Sequence, residues 1–137
     1  MKLKESLAVG LTSTRKFTVD RERTIGFMGD EGRVYSTPSL VRDIEYSCHE
    51  LLIEHLEDGE NSVGTHVSVD HIGATVEGDE ISVLVTITAV EGRAVSFEAT
   101  VKDSIEEVGR GVHNRFVVDV QKTYERLTEK RKKVMGS

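Results

Sequence analysis

The chain has 137 residues, of which 37% are hydrophobic and 31% are charged. These values are typical of a soluble globular protein with one core, and we expect a single domain over residues 1–137. Eighteen basic and twenty-four acidic residues give a net charge of -6, which argues against a broad binding surface for nucleic acid or an anionic membrane.

The N-terminal region predicts neither a signal peptide nor a membrane span. The apolar stretch 7–11, which follows Lys2 and Lys4, is too short for either. The single cysteine, Cys48, excludes an intrachain disulfide, as is typical of a reducing compartment. We therefore expect a cytoplasmic protein.

The first element is predicted as an edge strand between Thr12 and Val19, where Phe17 and Val19 alternate with polar neighbours. The stretch from Arg21 to Arg33 is charged and contains glycine, and Phe27 and Met28 are its only adjacent pair of large apolar residues. This pattern predicts a loop or a short strand that leads to the first helix.

The stretch from Ser36 to Leu56 predicts the longest helix of the chain. Thr37 is interpreted as its N-cap and Pro38 as its first helical residue. At 100° per residue, the apolar positions share one face, as expected of a helix that packs on a core: they are Leu40, Val41, Ile44, Cys48, Leu51, Leu52 and Leu56. For Cys48, this position favours core packing over nucleophilic chemistry.

Glu45 lies at the edge of that apolar face. Its carboxylate either extends to water, which helix geometry alone favours, or lies at a buried boundary with a partner. In the second case burial would raise its pKa and suit it to acid–base chemistry.

A strand is predicted from Val63 to Ile72, with side chains alternating between two faces. The alternation places His71 on the same face as three valines: Val63, Val67 and Val69. His66, Ser68 and Asp70 lie on the other face. A histidine on an apolar face is more often a core residue, but with a carboxylate partner it would be a general base near neutral pH.

Two further strands, 81–90 and 93–102, form a hairpin around Glu91 and Gly92. After a turn at 103–104, a long strand runs from Ile105 to Val120, and its Gly109 and Gly111 predict a bulge or a close backbone approach. The fold class is therefore α+β, with a curved antiparallel sheet wrapped around a long central helix. The basic tail, 121–137, is predicted to be helical, and it forms either a solvated surface or a clamp for phosphates.

Several motifs at these positions resemble the hot-dog fold thioesterases, most closely the fluoroacetyl-CoA thioesterase family. The similarity runs over residues 34–118. Its best-matching pieces are Thr37 eight residues before Glu45, Gly64-Thr65, Val69-Asp70-His71-Ile72-Gly73-Ala74-Thr75, Val90-Glu91-Gly92-Arg93, and the run from Glu107 to Arg115. The spacing of the threonine, glutamate, glycine and histidine is the specific part of this resemblance.

The resemblance implies a hot-dog thioesterase whose catalytic residues are Thr37, Glu45 and His71. It implies that Gly64 and Arg115 bind substrate, and that a homodimer or a higher assembly binds acyl-CoA at its interface. No metal or other cofactor is expected beyond the coenzyme A of the substrate. Neither nucleic acid nor a membrane is expected as a partner.

Helix geometry separates Thr37 from Glu45 by about 12 Å along the axis, so these two side chains do not touch. Two mechanisms remain open: either Thr37 is a nucleophile with His71 as its base, or Thr37 hydrogen-bonds the substrate while another group acts. In the second mechanism Glu45 or His71 activates water, or Glu45 attacks directly. The helix N-terminus and a backbone N–H near Gly64 are candidate donors to the thioester oxyanion.

One segment of this chain differs from the family that it resembles. The fluoroacetyl-specific enzyme has a longer, phenylalanine-bearing segment ahead of its threonine, whereas Gly29–Arg33 is short and lacks aromatic residues. Hydrolysis of short-chain acyl-CoA in general is therefore expected. The rival function is a non-catalytic acyl-CoA or acyl-ligand binding module on the same fold. A hydratase is disfavoured, because Asp70 and His71 face opposite ways.

Overall fold

The computed structural model describes residues 3–136 and consists of one large antiparallel sheet with a long helix packed on its inner face. In chain order the elements are β1 (Thr12–Thr18), β2 (Thr24–Ile25), β3 (Val34–Tyr35), α1 (Thr37–Ile53), β4 (Glu60–His71), β5 (Glu80–Glu91), β6 (Ala94–Lys102), β7 (Glu107–Asp119) and α2 (Val120–Val134). The large sheet has the order β1-β5-β6-β7-β4, while β2 and β3 pair separately. The predicted α+β architecture is confirmed.

The core lies between α1 and the inner face of the sheet. Burial alternates along the middle of β5, so that Ile81, Val83, Val85 and Ile87 are all fully buried. The predicted apolar face of α1 is buried too, except for Val41, which is half-buried. The helix ends at Ile53, so Leu56, which is also buried, lies beyond it and not on it as predicted. Cys48 is fully buried in this core, as predicted, and burial raises the pKa of its thiol to about 12.

The start of α1 differs from the prediction by one residue. Ser36 is the N-cap, and its hydroxyl accepts a hydrogen bond of 3.2 Å from the backbone N–H of Ser39. Thr37 and Pro38 are therefore the first two helical residues. Serine is a better helix cap than threonine, and a tertiary contact also favours Ser36 here, because its N–H donates to the carbonyl of Arg23 at 2.8 Å. The hydroxyl of Thr37 is left free for another role.

The β4 strand carries an irregularity that corrects the predicted faces. Its register against β7 shifts between Gly64 and His66, so that Val63 pairs with Phe116 whereas Val67 pairs with His113. Paired residues share a face, and residues 113 and 116 lie on opposite faces of β7. Val63 therefore does not share a face with Val67, Val69 and His71, because the extra residue at the bulge interrupts the alternation.

The ends of the other elements agree with their turn chemistry. Gly92 forms the hairpin turn with a φ of 60°, which favours glycine. β7 starts at Glu107 and stops at Asp119, because the Asp119 side chain caps α2 by accepting a hydrogen bond from the N–H of Lys122. The predicted C-terminal helix is present, and none of its described residues is buried.

Within residues 3–136, no helix combines the length and apolar character needed to cross a membrane.

Two glycines of β7 permit close packing, as the sequence predicts. A Cβ atom at Gly109 would lie 3.0 Å from Cδ1 of Leu40, and a Cβ atom at Gly111 would lie 2.5 Å from the carbonyl oxygen of Ser68. The first neighbour is the end of a side chain, whereas the second is backbone of the paired strand. Hence α1 rests on Gly109, and β4 approaches Gly111 closely.

We expect Gly111→Ala to lower the free energy of unfolding by about 1–3 kcal/mol, because the added methyl group forces the backbone of β4 away. Gly109→Ala is the matched control, because glycine is replaced by alanine in both variants and the effect on the unfolded chain is the same. At Gly109 the added methyl group meets the side chain of Leu40, which can shift to make room. Urea denaturation measures both variants. An equal or smaller loss in Gly111→Ala would contradict this account of the strand packing.

Candidate active site

Thr37 and His71 are in direct contact. The Oγ1 atom of Thr37 lies 2.8 Å from Nδ1 of His71. Thr37 starts α1 and His71 ends β4, so the pair joins a helix N-terminus to the end of a strand. Because Ser36 caps the helix, the Thr37 hydroxyl is available for this hydrogen bond. A hydroxyl bonded to an imidazole is the arrangement that activates a nucleophile or orders a water molecule.

The surroundings of His71 favour its neutral form. The side chain is half-buried, and burial lowers the pKa of His71 below its ordinary value of 6.5. Its Nε2 atom is buried and has no hydrogen-bond partner among the described residues. The carboxylate partner considered from the sequence is therefore not found in the described part of the chain. A neutral imidazole near pH 7 has a free lone pair, as a general base requires.

The Thr37–His71 pair opens into a first cleft of 570 Å³ with apolar walls. Ile25, Phe27 and Ile72 line it beside the pair. Phe27 is 89% exposed, and sequence reasoning missed its position, although a large apolar residue in a polar loop was a signal. An aromatic side chain thus lies at the cleft even though Gly29–Arg33 has none.

Glu45 lies elsewhere, in a second cleft of 530 Å³ that is also lined by Val41 and Arg115. The carboxylate is half-buried, and Oε2 lies 3.3 Å from the position that a Cβ atom on Gly64 would take. No hydrogen bond joins Glu45 to the Thr37–His71 pair in residues 3–136. Pro38 lines both clefts, and the predicted catalytic residues are therefore divided between its two sides.

Arg115 is a buried part of the second cleft and is only 7% exposed. Its Nε donates to Ser62 Oγ at 2.7 Å, and its Nη2 donates to the Ser62 carbonyl at 3.0 Å. Burial lowers the pKa of Arg115, while the charge of Glu45 acts in the opposite direction. Arg115 and Glu45 therefore make the second cleft charged, in contrast to the neutral first cleft.

His113 contacts Arg115 beside the second cleft, and sequence reasoning did not single it out. Its Nδ1 lies 2.7 Å from the carbonyl oxygen of His66, and its Nε2 lies 3.1 Å from Nη1 of Arg115. A carbonyl only accepts and a guanidinium only donates, so Nδ1 carries the proton and Nε2 accepts. Burial is the largest effect on the pKa of His113 and lowers it. The available sequence signal was its spacing, because His113 stands two residues before Arg115 on a strand and therefore shares its face.

Gly64 has no side chain and so leaves space beside the second cleft. A Cβ atom there would lie 3.2 Å from Cε1 of His113 and 3.5 Å from Nη1 of Arg115, in addition to its contact with Glu45. Gly64 is thus beside Glu45 and Arg115, which line this cleft, and beside His113. Among residues 3–136, no three histidine, cysteine, aspartate or glutamate side chains are grouped as a metal site requires.

At the helix N-terminus, few backbone donors remain for a substrate oxygen. Pro38 has no N–H, the N–H of Ser39 bonds the cap, and the N–H of Leu40 bonds the Ser36 carbonyl at 3.0 Å. Of the first four helical residues, this leaves the N–H of Thr37. Gly64 does not line the first cleft and lies beside Glu45 and Arg115 of the second, so the two predicted oxyanion donors do not share a cleft.

The sheet and its central helix are arranged as in known structures. A crystal structure of a hot-dog-like protein from Thermanaerovibrio acidaminovorans matches with a TM-score of 0.83 and 25% identity, covering 89% of this chain and 91% of that chain. The arrangement of sheet and central helix is therefore the hot-dog fold, as the sequence predicts. The class of protein is a hot-dog thioesterase.

The family is assigned from sequence. The fluoroacetyl-CoA-specific thioesterase (FlK) family matches residues 19–121. The fluoroacetyl-CoA thioesterase of Streptantibioticus cattleyicolor is 30% identical over 135 residues, 93% of this chain and 97% of the relative. A crystal structure of a FlK mutant in complex with fluoroacetate and CoA matches at 31% identity with a TM-score of 0.78, over 85% of this chain and 99% of that chain.

The chain belongs to the fluoroacetyl-CoA-specific thioesterase family. It is therefore an acyl-CoA thioesterase, an enzyme that hydrolyses a CoA thioester to the free acid and CoA. The rival interpretation, a non-catalytic binding module, is not favoured.

We expect both His71 and His113 to titrate below pH 6.5, because burial disfavours the imidazolium form. As the pH falls through 6.5, the unfolded chain binds protons that the folded chain does not, and the free energy of unfolding decreases. Long-range ¹H–¹⁵N NMR spectra measure both titrations and should find the His113 proton on Nδ1. A midpoint at or above 6.5 for either residue, assigned with histidine-to-glutamine variants, would contradict this description of the site.

Proposed function

We propose that this thioesterase hydrolyses short-chain acyl-CoA with Thr37, Glu45 and His71 as its catalytic residues. The observation that carries the proposal is the contact of 2.8 Å between Thr37 Oγ1 and His71 Nδ1 at an apolar cleft. The FlK complex with fluoroacetate and CoA supports a CoA ester as substrate. Gly64 and Arg115 are proposed to bind substrate on the Glu45 side.

The reacting thioester is placed at Pro38, the wall that both clefts share. On one side, neutral His71 takes a proton from the Thr37 hydroxyl or from a water molecule that this hydroxyl orders. The oxygen thus activated attacks the carbonyl carbon, and the N–H of Thr37 stabilises the oxyanion. The C–S bond then breaks, and the imidazolium returns the proton to the CoA sulfur.

The two routes differ in which oxygen attacks, and therefore in the species present once the C–S bond has broken. If Thr37 attacks, an acyl-threonine ester forms, and a second, water-driven attack assisted by His71 releases the acid. If water attacks, the acid is released at once. Glu45 faces the thioester from the charged cleft in either route, where it assists the activation of water. These residues supply nucleophile and base themselves, and we propose that no cofactor is needed.

We expect free-thiol release from short acyl-CoA esters, including fluoroacetyl-CoA, in an assay that extends to long chains. His71→Gln and Glu45→Gln should each lower kcat/KM at least about a hundredfold, the scale of lost acid–base catalysis. Thr37→Ser should retain activity if the hydroxyl attacks or orders water, whereas Thr37→Ala should not. His55→Gln is the control, because His55 bonds Ser6 and lines neither cleft.

The acid limb of kcat/KM should have its midpoint below pH 6.5, because His71 must be neutral to act as a base. This limb should be absent from the residual activity of His71→Gln. A folded wild-type protein that binds CoA esters but releases no thiol would overturn the proposed function.

We propose that the enzyme acts as a cytoplasmic homodimer formed through β4. This strand of 12 residues lies at the edge of the sheet with β7 as its only sheet neighbour in the described chain. Such an edge is a template for another strand. Val63 and Val67 on β4 are 44% and 37% exposed, and Val63 also borders the Glu45 cleft. A second copy on this edge would bury both valines and border the site.

We expect sedimentation velocity to give the mass of a dimer for the wild type and of a monomer for Val67→Glu, because a charge would be buried at the new interface. Leu84→Glu is the matched control. Leu84 is 41% exposed but lies on β5, which already has two neighbouring strands. A monomeric wild type at assay concentration, or equal dissociation by both variants, would rule out this interface.

A further inference from the structure

A buried polar network of Arg23, Tyr35 and Asp43 lies beside the Thr37–His71 pair. Asp43 is fully buried. Its Oδ2 accepts hydrogen bonds from the Tyr35 hydroxyl at 2.6 Å and from Arg23 Nε at 3.0 Å, while Oδ1 accepts from Arg23 Nη2 at 3.2 Å. A buried carboxylate is tolerated when it is paired in this way. None of the catalytic roles proposed above uses these residues.

Tyr35 connects the network to His71. The two ring centroids lie 5.9 Å apart with an interplanar angle of 79°, an edge-to-face contact. In many catalytic histidines, a hydrogen bond to the second ring nitrogen sets the orientation of the imidazole. The Nε2 atom of His71 has no such partner among the described residues. Besides the bond to Thr37, the edge-to-face contact with Tyr35 therefore constrains the orientation of this ring.

The network also holds the segment that carries Thr37. The N–H of Ser36 donates to the carbonyl of Arg23, and the N–H of Tyr35 donates to the carbonyl of Thr75, both at 2.8 Å. The guanidinium of Arg23 lies 4.9 Å from the ring centre of Phe17 on β1. Thr37 is thus linked to the network through the neighbouring Ser36, and His71 is linked to it through Tyr35.

We propose that Tyr35 and Asp43 are positioning residues for the Thr37–His71 pair. Asp43, clamped by Arg23, holds the Tyr35 hydroxyl, and the Tyr35 ring keeps the imidazole within hydrogen-bond distance of Thr37. The consequence for catalysis rests on the proposed role of His71. The orientation of the His71 ring does not depend on that role, and NMR shifts test it separately.

The kinetic test uses Tyr35→Phe, Tyr35→Leu and Asp43→Asn. Tyr35→Leu removes the ring and should lower kcat at least about tenfold, with KM changed less than about twofold, because a misplaced base slows the chemical step. Tyr35→Phe keeps the ring but loses the hydroxyl that bonds Asp43, and Asp43→Asn weakens this hydrogen bond. Both should fall between Tyr35→Leu and the wild type. In a His71→Gln background, Tyr35→Leu should have no further effect on kcat.

Val83→Ala is the control for loss of stability alone. Val83 is fully buried on β5, which β6 and β7 separate from β4, so this variant should lose stability without losing kcat. The ¹⁵N shifts of His71, which report its tautomer and hydrogen bond, should change in Tyr35→Leu and Asp43→Asn but not in Val83→Ala.

The two proposals fail in different ways. Retained activity in His71→Gln would overturn the proposed function, while the NMR shifts would still decide whether Tyr35 orients the ring. Wild-type kcat together with wild-type His71 shifts in folded Tyr35→Leu would overturn the positioning role. If Tyr35→Leu does not fold, unchanged kcat and His71 shifts in both Tyr35→Phe and Asp43→Asn would overturn it.

Discussion

The contact of Leu40 with Gly109 sets the geometry on which the site depends. Gly109 has no side chain, so Leu40 of α1 packs directly on β7 at this point. Gly109 pairs with His71 across the sheet, and Thr37 lies three residues before Leu40, almost one helical turn. Packing the helix on this glycine therefore brings the Thr37 hydroxyl to the histidine at the end of β4. A core contact between apolar atoms thus sets the position of a polar pair.

The rise of the helix then places the proposed catalytic residues in two different environments. Glu45 follows Thr37 by about two turns, which carries it past Pro38 and toward Gly64 and Arg115. The first cleft holds a neutral imidazole beside apolar walls, whereas the second holds a carboxylate and a buried guanidinium. Because a desolvated charge acts more strongly than one in water, the charged side suits the polarisation of a substrate or water. The neutral side suits proton transfer.

The buried group around Asp43 stabilises this arrangement at a cost. Desolvation of a carboxylate and a guanidinium is unfavourable, and a pair such as Arg23 and Asp43 does not necessarily stabilise a fold more than apolar residues would. Its geometric effect is specific, however. Arg23 and Asp43 are 20 positions apart, and their pairing ties the loop after β1 to α1 and holds Tyr35 between the helix and His71.

Local patterns in the sequence were enough to predict the long helix, its apolar face, the hairpin at Gly92 and the close approach at Gly109 and Gly111. Each depends on neighbours within a few residues or on the absence of a side chain. Motif spacing singled out Thr37, Glu45 and His71 and the family to which they point. The tertiary structure alone decided that Ser36 caps the helix, that the bulge after Gly64 turns Val63 away from His71, and that Asp43 is buried against Arg23. Those features depend on groups that are distant in sequence, and periodicity along one segment carries no information about such partners.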